Sequence, residues 1–287
     1  MSQRGEIIAG IASVPPLPSA STEVIRLLLD PEAPSTKVAQ AIEYDPSLTM
    51  NILRLANSTS FGFPQSVSTV KEAFVRLGPK KGFQSVFDAT IRKIAEIPCN
   101  GYEVSGAELW EHLIGSAIAS RRLAQVLNIS PPEHTFTAAL THDIGKVVLG
   151  TFLEVDTETI LALALEEKIS FEEAEQKVLG IDHAEVGACL LAHWNLPGSL
   201  VEVVRWHHQP ENIATDPEIV YLVHAADVIC LMAGLGTAVD ALSYRPSQHV
   251  MAQLGLRMNA LDEIVYEVLN ELMRFRTLFK FNQGYPQ

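Results

Sequence analysis

Apolar residues recur along the chain at helical spacing, and strand-like alternation is nearly absent, so the pattern predicts an all-α fold. Helix boundaries are marked by capping residues and by proline and glycine. In the N-terminal third, Ser21 caps a helix carrying Val24, Ile25, Leu27 and Leu28, which stops at Asp30-Pro31. Ser35 or Thr36 caps the next, through Val38, Ala39 and Ile42. Asp45-Pro46 opens a third, and a loop over 59–67 follows it. A fourth runs from Thr69 to Gly78 and a fifth from about Gly82 to Ile94.

The turn-rich stretch Ile97-Pro98-Cys99-Asn100-Gly101 then divides the chain. Residues 1–100 are expected to form an N-terminal helical subdomain, and residues 101–287 a multi-helix bundle carrying the chemistry. In that second part, Ser105 caps a helix through Leu109, His112 and Leu123, and Pro131-Pro132 opens the helix leading to His142-Asp143. Ser170 and Gly180 bracket another. Asp182 caps the next, with Glu185 completing a capping box. Pro197 and Pro210 bracket the helix of His207-His208, Asp216-Pro217 opens that of Asp227, and Asn259 starts the last.

Composition narrows the function. The net charge of −13 offers no basic face for nucleic acid and disfavours an anionic membrane surface. The apolar run Ile7 to Val14 is too short, and too soon followed by Pro15, Pro16 and Pro18, for a signal peptide. Val220 to Leu242 is interrupted by His224, Asp227 and Asp240, which reads as a buried helix lining a site. Cys99, Cys189 and Cys230 are far apart and lack CxxC spacing; they read as small buried hydrophobes in a reducing cytoplasm.

Candidate chemistry centres on Thr141-His142-Asp143-Ile144-Gly145-Lys146. An adjacent imidazole and carboxylate suit borderline divalent metals. His112, His142, Asp143, His183, His207, His208 and Asp227 lie on five predicted helices, near helix ends or in apolar stretches. Buried imidazoles and carboxylates need partners, and a pair of metals with Asp143 shared would satisfy all seven. Singly, each has a blander role as core histidine, solvated helix end or cap. Glu108 shares a helix face with His112 and would either reach the metals or cap its helix with Ser105. Lys146, one turn beyond His142, would either meet an anion near the metals or be solvated. His134, His193, His224 and His249 are read as structural or surface residues.

These motifs resemble the HD superfamily of metal-dependent phosphohydrolases, in the branch called HDOD. In the C-terminal part the resemblance rests on Trp110-Glu111-His112, His142 to Lys146, Asp182 to Gly187, Trp206-His207-His208 and Ala226-Asp227. In the N-terminal third it rests on Asp45 to Leu48, Ile52 to Ser58, Phe61-Gly62 and Ala73 to Gly78. It implies an HD-like helical bundle and a bacterial signalling module with a protein partner. It also implies two divalent metal ions, with iron or manganese favoured over zinc, nickel or magnesium. A phosphohydrolase acting on a phosphoester or cyclic nucleotide, with Lys146 stabilising charge, is the alternative, and a di-iron redox protein is a third reading. The related HD-GYP branch hydrolyses cyclic di-GMP, but Gln209-Pro210-Glu211-Asn212 stands here where its Gly-Tyr-Pro loop would be; the terminal Gly284-Tyr285-Pro286 lies in the wrong place.

Overall fold

The computed structural model describes residues 3–11, 14, 34–43, 49, 52–53, 56–57, 67–78, 102, 106–130, 135–152, 157–194, 196–214, 217–236, 244, 246–255 and 258–279. The expected helices over Val24 to Leu28 and over 82–94 lie outside these residues. So do most of the loop over 59–67, the 97–101 joint, the Ser105 cap, Pro131-Pro132 and the terminal Gly284-Tyr285-Pro286. The helix expected from Asp45-Pro46 is described at residues 49, 52, 53 and 56, all of them helical, with Ile52 and Ala56 buried. Among the described residues every regular element is helical.

Local signals set the helix ends. Helix α1 spans Gln3–Ile11, α2 Ser35–Glu43 and α3 Val70–Leu77. The Thr69 hydroxyl accepts from the Glu72 N–H at the start of α3, and Gly78 ends it at φ 76°, where a side chain would be strained. Val70, Ala73, Phe74 and Leu77 form its buried stripe, and α2 packs against it. The Asn57 side chain bonds both the N–H and the carbonyl of Val67, at 2.7 and 2.8 Å, pinning two points ten residues apart.

The site-bearing bundle begins with α4, Gly106–Val126. Then come α5 Thr135–Thr141, α6 Ile144–Phe152, α7 Thr157–Glu167, α8 Phe171–Leu179, α9 His183–His193 and α10 Gly198–Trp206. A 3-10 turn, Pro210–Asn212, leads to α11 Pro217–Met232, α12 Gln248–Leu254 and α13 Met258–Phe279. Helix α4 is the central post, packed against α5, α11 and α13, while α9 packs against α6 and α10. Leu113, Ile114, Ala117, Leu140, Leu190 and Val223 lie in one continuous buried core. No described helix is long and apolar enough to cross a membrane.

Two sequence expectations are modified. Asp182 caps α9, accepting from the Glu185 N–H at 2.7 Å, but the Glu185 carboxylate turns to Arg4 of α1. Two charge-assisted bonds to a guanidinium are worth more than one to a backbone amide. His207-His208 lies just past α10, with His207 as its C-cap, rather than within the helix.

Candidate metal centre

Short, tightly packed connections bring the site together. Helix α5 ends at Thr141 and α6 begins at Ile144, so His142 and Asp143 occupy the turn between them. Helix α6 approaches α9 so closely that a Cβ at Gly145 would stand 1.9 Å from the His183 carbonyl oxygen and 2.7 Å from the Gly187 nitrogen. Only a residue without a side chain lets Asp143 reach His183. The contacting atoms of Asp143 and His183, Oδ1 and Nε2, are 3.3 Å apart.

Two groups of candidate metal ligands result. Asp143, His183, His207 and His208 form one; His112, His142 and Asp227 form the other. Within each, one nitrogen or oxygen per residue lies within 4.8 Å of all the rest. Asp143 faces both: Oδ1 lies 3.3 Å from His183 Nε2 and 3.6 Å from His207 Nε2, and Oδ2 lies 3.5 Å from the Nε2 atoms of His112 and His142. His112 Nε2 and His142 Nε2 are 3.1 and 3.7 Å from Asp227 Oδ1. Two donors bound about 2.1 Å from one ion at 90–110° lie about 3.0–3.4 Å apart, which is the scale of these separations.

Hydrogen bonds fix how four rings face. His142 Nδ1–H donates to the Ala139 carbonyl, His207 Nδ1–H to Val204 and His112 Nδ1–H to Leu235, at 2.6, 2.7 and 2.9 Å. His183 Nδ1–H donates to the Glu175 carboxylate at 2.6 Å. Carbonyl and carboxylate oxygens only accept, so each Nδ1 carries the proton and each Nε2 turns inward, as metal-bound histidines are held. Among the described residues Asp143 Oδ1, His207 Nε2 and His208 Nδ1 are buried atoms without a hydrogen-bond partner. Such atoms are costly, and a cation held between them would relieve that cost. The donor set fits a borderline divalent ion.

The protein's own charges point the same way. Burial alone would raise Asp143 and Asp227, but neighbouring polar and charged groups outweigh it and hold both well below the usual carboxylate range. For Asp143 the strongest opposing influence is the Lys146 ammonium, with the surrounding imidazoles adding to it; for Asp227 it is hydrogen bonding by His112 and His142. Burial lowers His183 and His112, yet Glu175 and Asp143 lift the first well above the ordinary imidazole value, and Asp227 and Asp143 raise the second. Burial pushes His207 down to about 4 and, with the charges of His207 and His183, His208 well below its usual value.

Lys146 is buried, with its ammonium 2.5 Å from Asp143 Oδ2. Glu108 is exposed in the first turn of α4 and stands outside both groups, because one turn back from His112 the helix has reached the surface. His224 is buried, donating from Nδ1 to the His207 carbonyl and accepting at Nε2 from the Ser247 N–H. It thereby fastens the segment before α12 beside the histidine pair. His193 and His249 are exposed, and His134 lies outside the described residues. Three residues were not singled out from sequence. Glu175 supports His183, Tyr102 bonds Glu175, and Tyr244 stacks edge-on against His208 with ring centroids 5.4 Å apart. Glu175 had one legible signal: it is an acid on the stripe of α8 that also buries Phe171, Ala174 and Leu179. A cavity of about 350 Å³ reaches His208 and is lined by Glu172, Asp182, Glu185, Arg205 and Trp206.

A family model described as the HDOD domain matches residues 14–210. A protein of Treponema pallidum (strain Nichols), named only as uncharacterized, is 24% identical over 223 residues. The alignment covers 76% of this chain and 42% of that protein, so the chain spans less than half of the relative's length. An HDOD domain protein of unknown function from Geobacter sulfurreducens has the same architecture. Its TM-score is 0.74 at 24% identity, covering 96% of this chain and 95% of that one. A Shewanella amazonensis SB2B protein named a candidate phosphohydrolase gives 0.65 at 22% identity, covering 92% and 93%. At these identities the likeness concerns the fold.

Proposed function

The chain belongs to the HDOD domain family, and from that premise we propose that it is a signalling module built around two divalent metal ions. His112, His142 and Asp227 would hold one ion; His183, His207 and His208 the other, with Asp143 shared. The observation that carries this reading is the set of four Nδ1–H donors that turn four Nε2 atoms toward Asp143, two of them facing Asp227 as well. Iron or manganese suits such a mixed imidazole and carboxylate set. The N-terminal helices would offer the face for a protein partner, and Val75 of α3 is already 79% exposed there.

Metal content tests the centre. Elemental analysis of the purified chain, reloaded with Mn²⁺ or Fe²⁺ in the absence of oxygen, is expected to give about two ions per chain. His142→Ala should remove at least one. A wild-type chain that retains neither metal refutes the proposal.

A second reading, metal-dependent hydrolysis of a phosphoester, is favoured by the cavity that opens beside His208. Bound divalent metals supply Lewis acidity and a more acidic water. The chain's own share would be to hold the phosphate beside Lys146 and exclude water around Asp143. Cyclic di-GMP is a poor candidate substrate. Pro210–Asn212 forms a 3-10 turn whose Glu211 is hydrogen-bonded by the Ser247 hydroxyl, and three acidic residues line the cavity. A screen of phosphoesters and cyclic nucleotides against the loaded protein separates the readings. Metal-dependent turnover abolished by His142→Ala makes it an enzyme; its absence leaves the signalling module.

A further inference from the structure

Of the four histidines in the cluster whose Nδ1 is hydrogen-bonded, one is held differently from the other three. His142, His207 and His112 donate from Nδ1 to backbone carbonyls of Ala139, Val204 and Leu235. His183 donates to a side-chain carboxylate, Glu175 Oε2, which also accepts from the His183 backbone N–H at 3.0 Å. The other carboxylate oxygen, Oε1, accepts from the Tyr102 hydroxyl. Tyr102, Glu175 and His183 are all buried at 1% exposure or less. The Tyr102 ring packs against Phe171, one turn before Glu175 on α8, with centroids 6.0 Å apart.

A carboxylate buried this deeply in an apolar stripe is expensive unless it serves the structure or a site. Leu at position 175 would complete the stripe made by Phe171, Ala174 and Leu179 at no such cost. The Glu175 atoms are instead spent on orienting one imidazole. A carboxylate partner fixes ring and tautomer as a carbonyl does, and its negative charge further pushes electron density toward Nε2. From this geometry we infer that Tyr102 and Glu175 are positioning residues that make the His183–His207–His208 group the tighter of the two ion sites. The inference rests on the metal-centre reading above and names which half of it fills first.

Titration of metal-free protein with Mn²⁺, followed by electron paramagnetic resonance, tests it. Co²⁺ absorption reports ligand geometry independently of any activity. The wild-type chain is expected to bind two ions with separable affinities. Glu175→Gln keeps the shape but removes the charge, and should weaken the tighter site about 10- to 100-fold while leaving the weaker one unchanged. The visible bands of the first-bound Co²⁺ should shift as well. Tyr102→Phe removes one hydroxyl and should move the same site in the same direction by a smaller factor. It supplies the readout if Glu175→Gln does not fold.

Equal weakening of both sites, or two wild-type affinities left unaltered by either variant, overturns the inference while the metal centre stands. A wild-type chain that takes up no Mn²⁺ refutes the centre itself, and this inference with it.

Discussion

At the scale of single residues, the centre is governed by where protons sit. Burial lowers His183 and His112, but their acidic neighbours raise both above the ordinary imidazole range, whereas burial brings His207 down to about 4. A metal ion bound at these imidazoles would compete with protons. Calorimetric titration with Mn²⁺ near neutral pH, in buffers of different ionisation heat, should therefore show release of about one to two protons per chain. Affinity should fall as pH falls, because acid restores the competing protons. Binding without proton release would contradict this assignment. Cys230 gives a second test at the same scale. Burial pushes its thiol up to about 12, so little thiolate forms at neutral pH. Alkylation read by mass spectrometry should leave Cys230 unmodified in the native chain and label it after unfolding.

At the scale of elements, the decisive feature is a crossing. Helices α6 and α9 meet at Gly145 and Gly187, and a Cβ on Gly187 would stand 3.2 Å from the Gly145 nitrogen. Gly145→Ala would place a methyl group inside backbone that has no flexible side chain to yield. It should cost at least the ~1–3 kcal/mol typical of overpacking, measured by urea unfolding, and should lower Mn²⁺ binding because His183 is carried on the displaced helix. Normal stability and normal binding would show that the helices separate freely.

This crossing also marks how far sequence alone reached. Helix type was legible from the spacing of apolar residues, and ends were legible wherever a cap was chemical, as at Thr69, Ser170 and Asp182. The seven clustered residues were legible as types because imidazoles and acids are conspicuous on apolar helices. Helices α1, α6, α7 and α12 were not anticipated. α6 and α7 are short, and the first follows α5 after only two residues, so periodicity had no room to develop. Glu175 was hidden for a different reason. Its role depends on His183, in the next helix along, and one acid in an acidic run Phe171-Glu172-Glu173-Ala174-Glu175 looks like solvated surface.

At the scale of the whole molecule, the N-terminal helix is tied to the site-bearing bundle across the length of the sequence. Arg4 donates to both Glu185 carboxylate oxygens at 2.7 and 2.8 Å and to the Gly180 carbonyl at 2.9 Å. Ile7 and Ile11 are buried in the core shared with α9. Two effects therefore hold α1, and their sizes differ. The Arg4 side chain is 42% exposed, so its ion pair is screened by water and should contribute about 0.5–1 kcal/mol. Removing the buried Ile7 side chain should cost about 2–4 kcal/mol, because it loses transfer energy and leaves a cavity. Urea unfolding should accordingly rank Ile7→Ala well below Arg4→Ala in stability. The two variants also respond differently to acid. The hydrogen bond from Arg4 depresses the Glu185 carboxyl, so the pair's contribution is complete above the ordinary carboxylate range and is lost as pH falls through the lowered value. The gap between wild type and Arg4→Ala should close toward pH ~3, while the Ile7→Ala gap persists because apolar burial carries no proton. An Arg4→Ala gap that stays constant into acid would mean that the guanidinium acts through its bond to the Gly180 carbonyl and its packing, and that the carboxylate contributes nothing.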